Sequence, residues 1–276
     1  NIFAEGSAAG MDFGYRLAVT DFNGDSFDDF LISAMGTLSR EPHNYMEFVG
    51  ERHLLYLSGP DGKLHDKSDQ IAGQENGASR QGPEQELLGG GSHYLATGDI
   101  DGDGDIDAWF WPGLFVNDGS GQLSFTESWF DLCGCWDGIM SSLIADLDGD
   151  DIGDLVVFQS DPVSTSKLFL SNGKSSLAER QITTLPTGEY GVENTKHNHA
   201  GATDLDGDGD VDIVIGQTRG TPYYKGRYLQ LLINDGVGNF SDETAERLSP
   251  QTVYADGETP PDGEGVVYLL DVNGDG

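Results

Sequence analysis

The sequence predicts an all-β fold, a β-propeller of four-stranded antiparallel blades, and three observations carry that expectation. A nine-residue pattern, Asp-x-Asp/Asn-Gly-Asp-x-x-x-Asp, occurs four times complete, from Asp21, Asp99, Asp146 and Asp204, and once cut short, from Asp271. Each copy stands in the same local order: a lead-in segment, the pattern, two apolar segments, a turn and a more polar closing segment. Forty glycines and ten prolines among 276 residues supply the many turns this order needs, and helical periodicity is nearly absent. Such internal repetition is the signature of a stacked architecture.

The lead-in segments are Arg16–Thr20, Tyr94–Gly98, Ser142–Ala145, Ala200–Thr203 and Val267–Leu270. Apolar strands follow the pattern at Phe30–Ile32, Ala108–Trp111, Leu155–Phe158 and Ile213–Ile215. A second apolar strand then ends in a turn: Leu54–Leu57 before Ser58-Gly-Pro-Asp-Gly, Leu114–Val116 before Asn117-Asp-Gly, Leu168–Leu170 before Ser171-Asn-Gly, and Leu231–Ile233 before Asn234-Asp-Gly. Asn-Gly and Asp-Gly supply the positive φ that hairpin turns require. The middle strands are apolar without alternation, so both faces need cover. Stacking blades face to face about an axis provides it, and a β-sandwich would not repeat a four-strand unit with a loop in register. The expected blades span about 14–80, 93–130, 139–188 and 199–250, with the start of a fifth at about 265–276, as one partial propeller. The stretches at about 38–52, 71–92, 216–227 and 250–264, rich in Gly, Pro and charge, are expected to be surface loops. Since the chain starts at Asn1 and ends inside the fifth pattern, it is expected to be part of a longer protein.

Forty-eight acidic residues against 14 basic ones give a net charge of −34. Nucleic acids and anionic membranes both require a positive surface and are poor partners for this chain. No apolar run approaches the ~18–20 residues needed to span a bilayer. The only cysteines, Cys133 and Cys135, stand in Cys-Gly-Cys. Two thiols make a poor zinc site and a bridge between them would be strained, so free thiols and a disulfide both stay open.

Much of the acidity is gathered in the five patterns, where clustered carboxylates repel one another and call for a counter-cation. Oxygens at positions 1, 3 and 5, the carbonyl of position 7 and a carboxylate at position 9 can wrap one hard cation, and with water they suit Ca²⁺ better than octahedral Mg²⁺. The candidate ligands are Asp21, Asn23, Asp25, Phe27 and Asp29 in the first loop, and Asp99, Asp101, Asp103, Asp105 and Asp107 in the second. They are Asp146, Asp148, Asp150, Ile152 and Asp154 in the third, and Asp204, Asp206, Asp208, Asp210 and Asp212 in the fourth. The fifth shows Asp271, Asn273 and Asp275. Four complete calcium sites and a fifth partial one are expected. Glycine fills position 4 throughout, whereas position 6 is glycine in three loops but Ser26 and Asp151 in the other two, which are expected to be strained or looser.

Phe13-Gly-Tyr-Arg-Leu-Ala-Val-Thr-Asp-Phe-Asn-Gly-Asp resembles an FG-GAP repeat, as in integrin α-subunit propellers. The later units, ending in Leu-Leu-Ile-Asn-Asp-Gly-Val-Gly-Asn-Phe-Ser-Asp, resemble the related VCBS repeats of secreted and surface proteins. The resemblance implies a seven- or eight-bladed ring outside the cytoplasm, secreted or at the cell surface, with calcium mainly structural. It spans adhesion receptors, matrix proteins, lectin-like modules and polysaccharide lyases, so kinship of fold alone does not set the function.

In a propeller, the connections between blades cross the face opposite the metal loops, which makes Tyr15, Arg16, His93, Tyr94, Trp136, His197, His199 and Glu264 candidates for one ligand face. Ordinary packing of these residues on their own blades is the plainer reading. No nucleophile elbow, phosphate loop or placeable acid/base pair stands in the chain. An extracellular adhesion or scaffold module, with a protein or carbohydrate ligand, is therefore favoured over a polysaccharide lyase-like enzyme or a lectin.

Overall fold

The computed structural model describes residues 16–33, 37–39, 47–49, 53–73, 94–133, 139–159, 166–222, 225–251, 267 and 269. The fold is all-β, with four antiparallel four-stranded sheets that form propeller blades. The chain divides into two compact units, residues 1–99 with 103–136, and residues 100–102 with 137–276.

The first unit begins with β1 (Arg16–Thr20) and β2 (Asp29–Ser33), followed by a small hairpin of β3 (Thr37–Ser39) and β4 (Glu47–Val49). β5 (Leu54–Leu57) and β6 (His65–Asp66) complete the first blade, in the order β1-β2-β5-β6. β7 (Ala96–Gly98), β8 (Asp107–Phe110), β9 (Gly113–Asn117) and β10 (Leu123–Ser128) form the second blade as a simple meander. The second unit holds two further meanders. One is β11 (Ile139–Ala145), β12 (Asp154–Gln159), β13 (Lys167–Leu170) and β14 (Gln181–Thr184); the other is β15 (Thr195–Thr203), β16 (Asp212–Arg219), β17 (Lys225–Asn234) and β18 (Phe240–Asp242). Among the described residues, helix is confined to short turns such as Trp129–Cys133 and Thr244–Arg247, and no described helix is long and apolar enough to cross a membrane.

Register places the acidic loops. In each blade the first two strands pair antiparallel, and the pairing closes at the residue just before the loop and the loop's last aspartate: Thr20 with Asp29, Gly98 with Asp107, Ala145 with Asp154, and Thr203 with Asp212. Each nine-residue pattern is thus the connection of a hairpin. Position 9 lies in the sheet, beside the residue that leads into position 1.

The cores form where two blades of one unit face each other. In the first unit, Leu31, Leu55 and Leu57 pack with Ala108, Phe110 and Phe115. In the second, Val156, Phe158, Leu168 and Leu170 pack with Ile213, Ile215 and Leu232. Leu155 through Phe158 are all buried, as the unbroken apolar run requires of a strand covered on both faces.

The stretch 216–227 differs from the expectation of a surface loop. β16 runs on to Arg219 and β17 starts at Lys225, with Gln217 opposite Tyr228 and Arg219 opposite Lys225 across a bulge. Polar residues there read as loop, yet Gln217 and Gln230 are buried and hydrogen-bond each other. The segment before β15 completes the network: Glu189 N donates to Gln217 Oε1 at 3.1 Å, and Gln230 Nε2 donates to the Thr187 carbonyl at 3.2 Å. Satisfied in this way, buried amides are compatible with a central strand. The β3–β4 hairpin lies within 38–52 and its margins, whereas residues 74–92 and 252–264 fall outside the described residues.

Phe110 is fully buried and stacks on Phe115 with ring centroids 4.2 Å apart, whereas Phe125 remains 40% exposed. Phe110→Ala is therefore expected to cost about 3–5 kcal/mol and Phe125→Ser less than about 1 kcal/mol. Urea unfolding of the two variants checks this, and equal costs would mean that the faces of the second blade are assigned the wrong way round.

Candidate metal centres

Each loop is shaped by its own carboxylates. Glycine at position 4 takes a positive φ in all four, between 70° at Gly24 and 81° at Gly102. Position 6 does so as well, including Ser26 at 69° and Asp151 at 67°, the two non-glycine residues expected to be strained. The position 6 amide points back at position 1 in every loop: Ser26 N to Asp21 Oδ2 at 2.7 Å, Gly104 N to Asp99 Oδ2 at 2.9 Å, Asp151 N to Asp146 Oδ2 at 2.9 Å and Gly209 N to Asp204 Oδ2 at 3.1 Å. Position 5 accepts from the position 7 amide, each time at 3.0 Å, in the pairs Phe27–Asp25, Asp105–Asp103, Ile152–Asp150 and Asp210–Asp208.

Position 9 has the deepest setting. Asp29, Asp107, Asp154 and Asp212 are fully buried. One oxygen of each accepts the first amide of the hairpin turn after the third strand: Ser58 at 2.7 Å, Asn117 at 2.8 Å, Ser171 at 2.6 Å and Asn234 at 2.8 Å. The other oxygen accepts the position 2 amide in loops one, three and four, from Phe22, Leu147 and Leu205. Burial raises the Asp29 carboxyl above its usual range against these hydrogen bonds. Burial likewise pushes Asp154 up to about 6, opposed by the Ser171 and Leu147 amides and reinforced by the charge of Asp148.

Positions 1, 3 and 9 converge. One oxygen from each of Asp99, Asp101 and Asp107 lies within 4.8 Å of the others, and the same holds for Asp146, Asp148 and Asp154, and for Asp204, Asp206 and Asp212. In the first loop position 3 is Asn23, so the equivalent trio holds two carboxylates and an amide. Position 5 stands outside these trios, engaged with the position 7 amide. Asp148 Oδ1 is shielded from solvent and takes no hydrogen bond, and burial together with the charges of Asp150 and Asp146 holds its carboxyl above the ordinary value. An oxygen in that condition fits a cation. Asp271, Asn273 and Asp275 lie outside the described residues.

The expected ligand face is only partly described, since Tyr15, His93, Trp136 and Glu264 fall outside the described residues. Tyr94 is 2% exposed and stacks on Trp109, and its carbonyl accepts Ser33 Oγ at 3.3 Å. His197 is also 2% exposed, tilted over Phe158 with Nδ1 at 3.5 Å from Ser166 Oγ. Both rings are packing elements of their blades. Arg16 and His199 are half-buried.

Sequence reasoning overlooked the hairpin residues Ser58, Asn117, Ser171 and Asn234 as partners of position 9. Their signal was present in the recurrence of Ser or Asn at the first residue of each turn.

Two family descriptions match the chain, the FG-GAP-like repeat over residues 146–215 and 204–276, and the FG-GAP repeat over residues 13–40. The comparison with curated proteins gives no match. Among solved structures, the chain is similar to an Agrocybe aegerita lectin described for specific recognition of non-reducing terminal N-acetylglucosamine. Identity is 21%, with a TM-score of 0.49, and the match covers 82% of this chain and 50% of the lectin chain. The chain thus spans about half the length of that lectin.

Two tests follow from the loop geometry. At Gly209, φ is +100° and no atom lies within 4 Å of an added Cβ, so Gly209→Ala meets backbone strain alone and is expected to cost about 1–2 kcal/mol. Asp151→Gly removes the equivalent strain and is expected to be neutral or stabilising by up to about 1 kcal/mol in thermal melts. For Asp154, the metal-free folded state keeps its proton up to pH of about 6, while the unfolded chain loses it near 4. The folded state binds more protons across that window, so the stability this group contributes is lost as pH rises through it. A proton and a cation would compete for these oxygens, so divalent-ion uptake by the third loop is expected to weaken as pH falls from 7 to 5. Divalent-ion uptake measured by calorimetry at the two pH values checks this, and uptake indifferent to pH would contradict it.

Proposed function

The chain belongs to the FG-GAP repeat family, and from that premise we propose that it is a calcium-binding module working outside the cell, in adhesion or as a scaffold, with the ions acting as struts of its blades. One observation carries the reading: three loops bring the same three carboxylate positions to within 4.8 Å of one another. Three like charges so close oppose closure of the loop, and a divalent cation relieves that repulsion. All-oxygen donors on a flexible hairpin connection favour Ca²⁺, which tolerates six to eight ligands, over Mg²⁺, which demands a tight octahedron. When bound, the ion supplies charge neutralisation. Asp at positions 1, 3 and 9 would hold it, joined by position 5 or the position 7 carbonyl. In the first loop Asn23 supplies a neutral oxygen, so that site should bind more weakly.

Extracellular calcium sites bind at ~10⁻⁴–10⁻³ M. With free calcium at ten times Kd, one site stabilises by roughly 1.4 kcal/mol, and four such sites by roughly 6 kcal/mol, comparable with the net stability of a domain. Binding of that strength suits a compartment with millimolar calcium. A ligand would then be presented by segments that the blades hold in place, among which Arg16 and His199 remain candidates.

Chelation is the test. Removing divalent ions should lower Tm by about 10 °C or more, calcium should restore it, and magnesium should restore it less. A melting temperature indifferent to chelator would sink the proposal.

A further inference from the structure

In the second and fourth blades a single asparagine joins two loops. Asn117 Nδ2 donates to the Ile106 carbonyl, at position 8 of its own loop, at 3.1 Å, and to the Phe22 carbonyl, at position 2 of the first loop, at 2.7 Å. Asn234 Nδ2 does the same with Val211 at 3.1 Å and with Leu147, position 2 of the third loop, at 2.9 Å. The third blade carries Ser171 at this place, with no side-chain amide to give. Its two equivalent carbonyls are reached from elsewhere. Arg180, 6% exposed and just before β14, donates Nη1 to Gly153, position 8 of the third loop, at 2.7 Å. Its Nη2 donates to Ile100, position 2 of the second loop, in the 100–102 segment that packs with the second unit. Its Nε bonds the Lys174 carbonyl at 3.0 Å.

We propose that Arg180 is the positioning residue of the third metal loop: it replaces the neutral asparagine with a fixed cation, making this loop the least dependent on a metal for its shape and weaker in affinity for one than the fourth loop, which keeps its asparagine. The proposal rests on the metal-binding reading above. A guanidinium fork can hold two carbonyls as an amide does, but it brings a full positive charge to Gly153, the neighbour of the ligand Asp154. The hairpin after β13 adds a second, independent brace. Ser171 Oγ donates to Asp150 Oδ2 at 2.6 Å, Gly173 N to the same oxygen at 2.5 Å, and Asn172 N to Asp148 Oδ2 at 3.1 Å. Donors of this hairpin thus engage two carboxylates, Asp148 and Asp150, beyond the one at position 9. One unit charge acting on a divalent ion across a wet loop amounts to about tenfold in Kd.

Calcium titration of the whole chain by calorimetry, paired with melting in chelator, tests this. In the wild type, Asp146→Asn should delete a site about tenfold weaker than the one deleted by Asp204→Asn. Arg180→Asn should tighten that weaker site about tenfold at unchanged stoichiometry, and should lower the Tm measured in chelator. Arg180→Lys, which keeps the charge and loses the fork, should leave the site weak while lowering the chelated Tm. An Arg180→Asn protein that folds by circular dichroism, with affinities unchanged or weakened, overturns the proposal. Should that variant not fold, Arg180→Lys decides, and a chelated Tm equal to wild type overturns it. A wild type that takes up no calcium fails the metal-binding reading itself, a result distinct from uptake that ignores Arg180.

Discussion

A carboxylate buried in a β-sheet costs several kcal/mol unless hydrogen bonds or a counter-charge hold it. The chain places one at the same point of every blade: Asp29, Asp107, Asp154 and Asp212, each the first residue of a second strand and each fully buried. Satisfying those oxygens fixes much of the rest. One oxygen draws in the turn after the third strand, so the second hairpin is tied to the first. The other holds position 2, so the loop must leave β1, β11 or β15 and turn back at once. Glycine at position 4 is required because the chain has only a few residues in which to reverse, and the reversal needs a left-handed backbone.

The same constraint links shape to charge. Hydrogen bonds compensate the buried aspartate only in part, as the raised carboxyls of Asp29 and Asp154 record. The partner carboxylates at positions 1 and 3 add repulsion within a few ångströms. On the proposed reading, local structure and cation binding are one equilibrium, in which the protein brings oxygens together and an ion would make their proximity favourable. Apolar packing between blades supplies the larger share of burial, but it cannot by itself order a loop made of aspartate and glycine.

The acidic loops and the strand order were legible in the sequence because each position in them has one physical task. Only glycine suits position 4, only an oxygen-bearing side chain suits positions 1 and 3, and a doubly covered strand must be apolar throughout, as Leu155–Phe158 is. Where a residue type serves two environments, the sequence misleads. Gln217 and Gln230 read as loop, and they are buried because segment 187–189 comes from a distance to satisfy them. Tyr94 and His197 read as candidates for a shared face, but their rings fill space against Trp109 and Phe158. Arg180 gave no signal of its own. The hint lay in the missing asparagine at Ser171, which gains meaning only once the carbonyls of Gly153 and Ile100 are seen to share a donor.

On the proposed reading, the position 9 aspartate and a bound cation together hold the loop, the sheet and the second hairpin. Amide hydrogen exchange reads that directly at Leu147, Ser171, Leu205 and Asn234, whose N–H groups point at Asp154 and Asp212. With calcium present these four amides should exchange slowly, together with the central strands. In chelator they should lose about a hundredfold or more in protection, while Val156 and Ile215 in the blade centres lose less. Protection of the four amides that is the same with and without calcium would contradict the account.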